Sequence, residues 1–250
     1  MDTLTTIAHI EALETAGRGL ADAAAGAGTD SEVPSCPGWR VRDLLRHTAS
    51  VHRWATAFVA EALTAYRPEG EETTLDGDEL TAYYREEHAR LVAALRAAPA
   101  SLECWTFLPS PSPLAFWARR QAHETLVHRA DAESALRGAP GPVAPAIAAD
   151  GIDELLAGFH SLDRSRVRTP EPRTLRVRAT DTGDAWTVHL TATEPPRTER
   201  KDEGGGVDTE LSGPADRLYL TLWNRLPTDA VTVTGDEGLA RLWRETSAIG

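Results

Sequence analysis

Up to about residue 162 the apolar residues of this chain recur every three or four positions; beyond Arg173 they recur every second position. A helix buries one stripe against other helices, and a half-buried strand buries alternate residues against one sheet face. One change of period therefore predicts two units, a helical one followed by a mixed one. In the first, Leu4, Ile7 and Ile10 follow Thr3, a candidate cap, and this helix dissolves near Gly26 to Thr29. A second helix is predicted from Val41 to about Tyr66, with Leu44, Leu45, Thr48, Val51, Ala55 and Phe58 along one side. After a loop from Pro68 to Asp78, Leu80, Tyr83, Tyr84, His88, Leu91 and Leu95 mark a third, ending near Pro99. Ser112 and Pro113 have the N-cap and first-turn chemistry for a fourth, Leu114 to Leu136, and Gly138 supplies its stop. A fifth covers Pro145 to Leu162, and the whole of 1–165 is expected to form an antiparallel four-helix bundle.

Leu175, Val177 and Ala179 alternate with Arg176, Arg178 and Thr180, and Trp186, Val188 and Leu190 alternate after the turn residues Asp181 to Asp184, predicting a hairpin. The polar run Glu194 to Gly206 is expected to be a mobile connection. A third strand at Val207 to Leu211, a helix at Pro214 to Leu226, a fourth strand at Val231 to Val233 and a last helix at Leu239 to Thr246 complete a small α+β domain over 172–250, with the boundary near residues 163–172.

Composition narrows the function. With 38 acidic against 26 basic residues the formal charge is −12, a balance that repels phosphate backbones and anionic lipid, and the sequence shows no basic patch to offset it. Neither nucleic acid nor a membrane is expected as a partner. Cys36 and Cys104 stand in different segments without a C-x-x-C spacing, so they are expected to be free thiols of a reducing cytoplasm. The first 25 residues lack the basic start and apolar core of a signal peptide, which also predicts a cytoplasmic protein; the oligomeric state is not encoded in any of these features.

Helix four carries His123-Glu124-Thr-Leu-Val-His128-Arg-Ala-Asp131. Glu124 and His128 are four apart and about 40° from each other around a helix, so one face can offer both to one metal. His123 is about 140° from His128, which separates this pattern from the H-E-x-x-H of zinc proteases. On helix two, His47 lies among Leu44, Leu45 and Val51 and is expected to turn into the bundle, whereas His52 is about 140° away. His47, Glu124 and His128 are thus candidate ligands of an open, catalytic type of metal site, zinc first and non-haem iron as an alternative. Arg120 and Asp131 are candidate contacts around it: Arg120 to Glu124 or to an anionic substrate, Asp131 to the substrate side or to an imidazole it would orient. Trp39 and Trp54 are expected to pack at the bundle end, and Cys36 to be buried rather than nucleophilic.

Val33-Pro-Ser-Cys-Pro-Gly-Trp39 leading into Asp43-Leu-Leu-Arg-His47, together with His123 to Asp131, resembles the mycothiol-dependent maleylpyruvate isomerase family of the DinB-like metal-binding bundles. The later half resembles that family's sterol-carrier-like α+β domain through Leu175 to Asp181, Leu222-Trp-Asn-Arg225-Leu-Pro227 and Val233-Thr-Gly-Asp236. The resemblance implies mycothiol as thiol cosubstrate, a divalent metal held by the same His47, Glu124 and His128, a small electrophilic substrate, and an active-site role for Arg225. It implies an isomerase or an S-transferase without choosing between them. A non-catalytic metal-binding module of a stress or regulatory kind and an iron-dependent oxidative enzyme are the alternatives.

Overall fold

In the computed structural model, which describes residues 4–201 and 204–249, the chain divides into two compact units, one over residues 4–141 and one over residues 142–249. The first holds four helices: α1 (Thr6–Ala27), α2 (Val41–Ala60), α3 (Gly77–Ala97) and α4 (Pro113–Arg137). The Thr5 hydroxyl accepts from the Ala8 N–H at 3.1 Å and caps α1; Thr3 lies outside the described residues. Ser112 caps α4 through the Ala115 N–H with Pro113 in the first turn, and Gly138 ends it in a left-handed conformation, φ 77°. These are the start and stop that the local sequence specifies.

α1 packs mainly along α4, and α2 along α3. Leu20, Leu44, Leu45, Leu80 and Tyr84 are fully buried between them. The His88 ring covers Gly17 closely: a Cβ there would stand 2.2 Å from Cε1 of the imidazole, so glycine is what lets α1 and α3 cross here without displacing the ring. α2 ends at Ala60 rather than near Tyr66 because Ala62 enters the left-handed region, φ 50°. The periodic residues beyond it serve a different surface: the Trp105 N–H donates to the Leu63 carbonyl, and the Tyr66 ring lies 5.2 Å from that of Trp105. Trp54 packs at this end against Phe58 and Trp117, with ring centroids 5.2 Å away in both cases.

The second unit begins with α5 (Pro145–Asp153), which widens into a π-helical turn over Glu154–Phe159. The fifth helical run therefore changes hydrogen-bond pattern partway, the His160 N–H reaching back to the Leu155 carbonyl at 3.1 Å. Contacts tie this run to the later part of the chain: α5 lies against α6 (Ala215–Leu222), the Trp186 indole N–H donates to Asp153 at 3.0 Å, and Thr198 donates to the Leu156 carbonyl. The division between the units consequently falls after Gly141, upstream of the change of period near residues 163–172.

Five strands form one sheet in the order β3-β2-β1-β4-β5, with β1 (Arg173–Ala179), β2 (Ala185–Leu190), β3 (Arg197–Glu199), β4 (Thr209–Gly213) and β5 (Thr232–Gly235). β1 and β2 make the expected antiparallel hairpin, with Val177 opposite Trp186; the β1–β4 pair alone is parallel. α6 and α7 (Glu237–Thr246) complete the unit. β3 lies inside the polar run expected to be a connection, its Thr198 opposite Val188 of β2; Asp202 and Glu203 of that run lie outside the described residues. Three residues of edge strand with charges at both ends leave almost no alternation to read. No helix among the described residues is long and apolar enough to cross a membrane.

Candidate metal centre

Before α2, the Val33–Trp39 segment folds as two tight turns, in which the Cys36 N–H donates to the Val33 carbonyl and the Trp39 N–H to the Cys36 carbonyl. Gly38 sits at φ 88°, a conformation that excludes most side chains and that lets the second turn close. α2 then starts at Val41, with the Asp43 carboxylate accepting from the Arg40 N–H at 2.9 Å. This start fixes the rotational phase of the helix and so the direction of His47, in its second turn.

His47 meets the two residues of α4 that share a face. Its Nε2 is 3.4 Å from Oε1 of Glu124, and Nε2 of His128 is 3.1 Å from the same oxygen. One donor atom from each of the three side chains lies within 4.8 Å of the others. In tetrahedral coordination at about 2.0–2.1 Å, neighbouring donors stand roughly 3.4 Å apart, so the separations observed suit a small divalent cation. The donor set of two imidazoles and one carboxylate belongs to zinc and to non-haem iron, and it leaves coordination positions for an external ligand.

The surrounding groups orient this trio. Nδ1 of His128 donates to Oδ2 of Asp131 at 3.0 Å, which leaves Nε2 to face Glu124. Asp131 is fully buried, and its other oxygen accepts from the Ser35 hydroxyl. Ser35 was not identifiable from the sequence; its membership in the Pro-Ser-Cys-Pro-Gly-Trp segment was the available signal. Arg120 is 3% exposed and donates to Oε2 of Glu124 at 3.1 Å, the oxygen turned away from the imidazoles. Arg120 thus reaches the trio through Glu124, and Asp131 through His128.

Burial pushes the Glu124 carboxyl up, but hydrogen bonds from His128 and His47, with the charges of His128 and Arg120, outweigh it and hold the group well below the usual carboxylate range. For His128, burial favours the neutral ring, and bonds to Asp131 and Glu124 outweigh that too, moving its pKa up to about 9. Glu124 therefore stays ionised beside His128 and Arg120 despite its burial.

Trp39 contributes more than packing at the bundle end. Its ring centroid lies 5.3 Å from that of His47 and 6.4 Å from that of His128, nearly parallel to the latter at 16°. Glu72, on the loop after α2, comes within 4.0 Å of Nδ1 of His47, a neighbour that helical periodicity could not reveal. Cys36 and Cys104 are half-buried free thiols, and burial pushes the Cys104 thiol up.

The other two histidines of these helices point elsewhere. His52 is fully buried, its Nε2 2.9 Å from the Thr125 hydroxyl; burial, reinforced by His88, keeps it neutral well below the ordinary imidazole range. His123 is also fully buried, with its ring 6.1 Å from that of His9. Arg225, in the second unit, lies just past α6 and donates from Nη1 to the Trp223 carbonyl at 2.8 Å.

Comparison with known proteins identifies both units. The family model described as the mycothiol maleylpyruvate isomerase N-terminal domain matches residues 10–133, and that of the corresponding C-terminal domain matches residues 146–242. A crystal structure of a mycothiol-dependent maleylpyruvate isomerase shares the fold with a TM-score of 0.64, at 15% identity over 92% of this chain and 93% of that one. A crystal structure of a histidine-to-alanine mutant of such an isomerase aligns with a TM-score of 0.65, at 14% identity over the same shares of the two chains. No curated relative matches the chain.

Proposed function

This chain belongs to the mycothiol-dependent maleylpyruvate isomerase family, a family of enzymes, and we propose that it is a metal- and mycothiol-dependent isomerase or S-transferase acting on a small electrophile. The observation that carries this reading is the meeting of His47 Nε2, His128 Nε2 and Glu124 Oε1. These three side chains hold a divalent cation, zinc first and non-haem iron as the alternative that the same donor set allows. When bound there, the cation supplies a charge that keeps a thiol sulfur deprotonated at neutral pH, so no protein nucleophile is needed. The chain's own cysteines agree with this division of labour, since neither lies within the trio.

The residues around the trio have separable tasks. Asp131 holds the Nδ1 proton of His128 and so presents the Nε2 lone pair; Ser35 keeps Asp131 in place. Arg120 balances the Glu124 charge without occupying the oxygen that faces the imidazoles. Trp39 flanks both rings, edge-on to His47 and nearly parallel to His128, and so limits how far either imidazole can turn. The family resemblance assigns Arg225 to the reaction, where a guanidinium would hold a substrate carboxylate by a two-point contact.

An attacking thiolate that adds to a conjugated double bond permits rotation about the resulting single bond; expulsion of the same thiolate restores the alkene and returns the thiol unchanged. Retention of the adduct is transfer instead. Maleylpyruvate is one electrophile of the first kind. The test is incubation of metal-loaded protein with mycothiol and a panel of conjugated carboxylates and other small electrophiles. Thiol-dependent turnover that disappears in His47→Ala and His128→Ala is expected. Metal binding with neither turnover nor a thiol-induced change at the metal would leave the non-catalytic module as the better reading, and oxygen consumption by iron-loaded protein would favour the oxidative one.

A further inference from the structure

In the second unit, Phe159 and His160, Arg164 to Arg166, and Ala248 and Ile249 line a half-open cavity of about 370 Å³, within the size range of small-molecule sites. The chain carries a formal charge of −12, yet the charged side chains of this wall are Arg164 and Arg166, with no carboxylate among the lining residues. Several arginines on the strands of the unit are paired, among them Arg173 with Asp208 at 2.9 Å, Arg178 with Glu210 at 3.1 Å and Arg200, just after β3, with Asp184 at 3.2 Å. Arg164 and Arg166 enter no ion pair among the described residues, and Arg164 instead lies over the Phe159 ring, 5.8 Å from its centroid. Two cations held beside a cavity in an acidic chain are an electrostatic invitation to an anion.

A third group on the wall has its hydrogen bonding set for the same purpose. The Ser165 Oγ stands 3.0 Å from Nδ1 of His160 and 3.4 Å from the Val167 N–H. His160 is 2% exposed, burial moves its pKa down to about 4, and its Nε2 has no hydrogen-bond partner among the described residues. An orphaned buried donor costs more than an orphaned lone pair, so the neutral ring carries its proton on Nδ1 and donates to Ser165. With two donors already directed at its oxygen, the Ser165 hydroxyl has its own proton left to give.

We propose that this cavity is a binding site for a small organic carboxylate, its oxygens taken by Arg164, Arg166 and the Ser165 hydroxyl and its apolar body by Phe159 and Ile249. The planar guanidinium matches a carboxylate by paired N–H donors, and the apolar walls select an organic acid over an inorganic oxyanion. The site is independent of the metal centre and stands whether or not that centre is catalytic.

Calorimetric titration of the full chain with benzoate, benzamide and inorganic phosphate tests this. Benzoate should bind, with benzamide and phosphate at least tenfold weaker. Arg164→Gln/Arg166→Gln should weaken benzoate by roughly tenfold to a hundredfold, the range for losing charge-assisted hydrogen bonds, and Ser165→Ala by less. Both arginines are exposed, so these variants should keep the wild-type circular dichroism and Tm. Benzoate binding should persist in folded His47→Ala/His128→Ala, which removes the proposed metal ligands. No binding of benzoate, equal binding by the double arginine variant, loss with the histidines, or phosphate binding as tightly as benzoate would each overturn the assignment.

Discussion

His128 is held at both ends of its ring by carboxylates of the same helix: Nδ1 is 3.0 Å from Oδ2 of Asp131, and Nε2 is 3.1 Å from Oε1 of Glu124. The two partners have opposite roles. Asp131, fully buried, orients the ring, and Glu124 shares the face that His47 approaches. Loss of an orienting carboxylate typically costs 10–100-fold in metal affinity. Asp131→Asn is therefore expected to weaken zinc by about that factor in a chelator competition titration, and Ser35→Ala by less. Unchanged affinity in Asp131→Asn would remove Asp131 from the support of the site.

Ligand and non-ligand histidines should separate by metal content. His47→Ala and His128→Ala should lose most of the metal retained through purification, measured per chain by elemental analysis. His52→Ala and His123→Ala should lose much less, since both are buried away from Glu124. Their cost should appear as lower stability, because each leaves a cavity in the bundle. Equal metal loss in all four variants would show that the proposed coordination is wrong.

For Arg225→Ala the expectation is the reverse combination: full metal content with kcat/KM for a carboxylate-bearing substrate lowered by roughly tenfold to a hundredfold. Kinetics indistinguishable from wild type would detach Arg225 from the reaction.

Gly17→Ala should destabilise the first unit. The added Cβ would stand 2.2 Å from the His88 ring, which is buried and must shift along with α1 or α3. Overpacking of this kind costs about 1–3 kcal/mol, readable as a lower midpoint in urea at unchanged slope. A Gly17→Ala/His88→Ala double variant should recover part of the loss, and the absence of any recovery would place the cost elsewhere.

Stability should decline in mild acid, and His160 contributes to the decline with a defined sign. Burial lowers its pKa from 6.5 to about 4, so between those values the unfolded chain binds a proton that the folded chain refuses. The folded state is thus penalised progressively as pH falls from about 6.5 to about 4, and not at pH 7, where both states are neutral. His52 and His88, also depressed by burial, act in the same direction. His160→Asn, which keeps a donor for Ser165 but does not titrate, should flatten the pH dependence of denaturation relative to wild type. An identical slope in the two proteins would mean that His160 titrates normally.

Local sequence determined the outline of both units because the relevant forces act over a few residues. Ser112, Pro113 and Gly138 bracket α4 by capping, and the alternation of Leu175, Val177 and Ala179 against Trp186, Val188 and Leu190 is written by a sheet face. The same helical phase put Glu124 and His128 on one side of α4 and turned His123 off it. Features without a period were illegible: the three-residue edge strand β3, the left-handed exit of α2 at Ala62, and the π-helical turn after α5.

Only tertiary structure brought His47 to within 3.4 Å of Glu124, since 77 positions of chain separate them and no local rule sets that distance. It also decided that Ser35 supports Asp131, that Trp39 flanks two imidazoles and that Arg164 and Arg166, without an ion pair among the described residues, line one cavity. Capping and hydrophobic phase are properties of neighbours along the chain and can be read from it; hydrogen bonds and charge pairs between distant residues depend on how packed elements meet, and that arises only when the core closes.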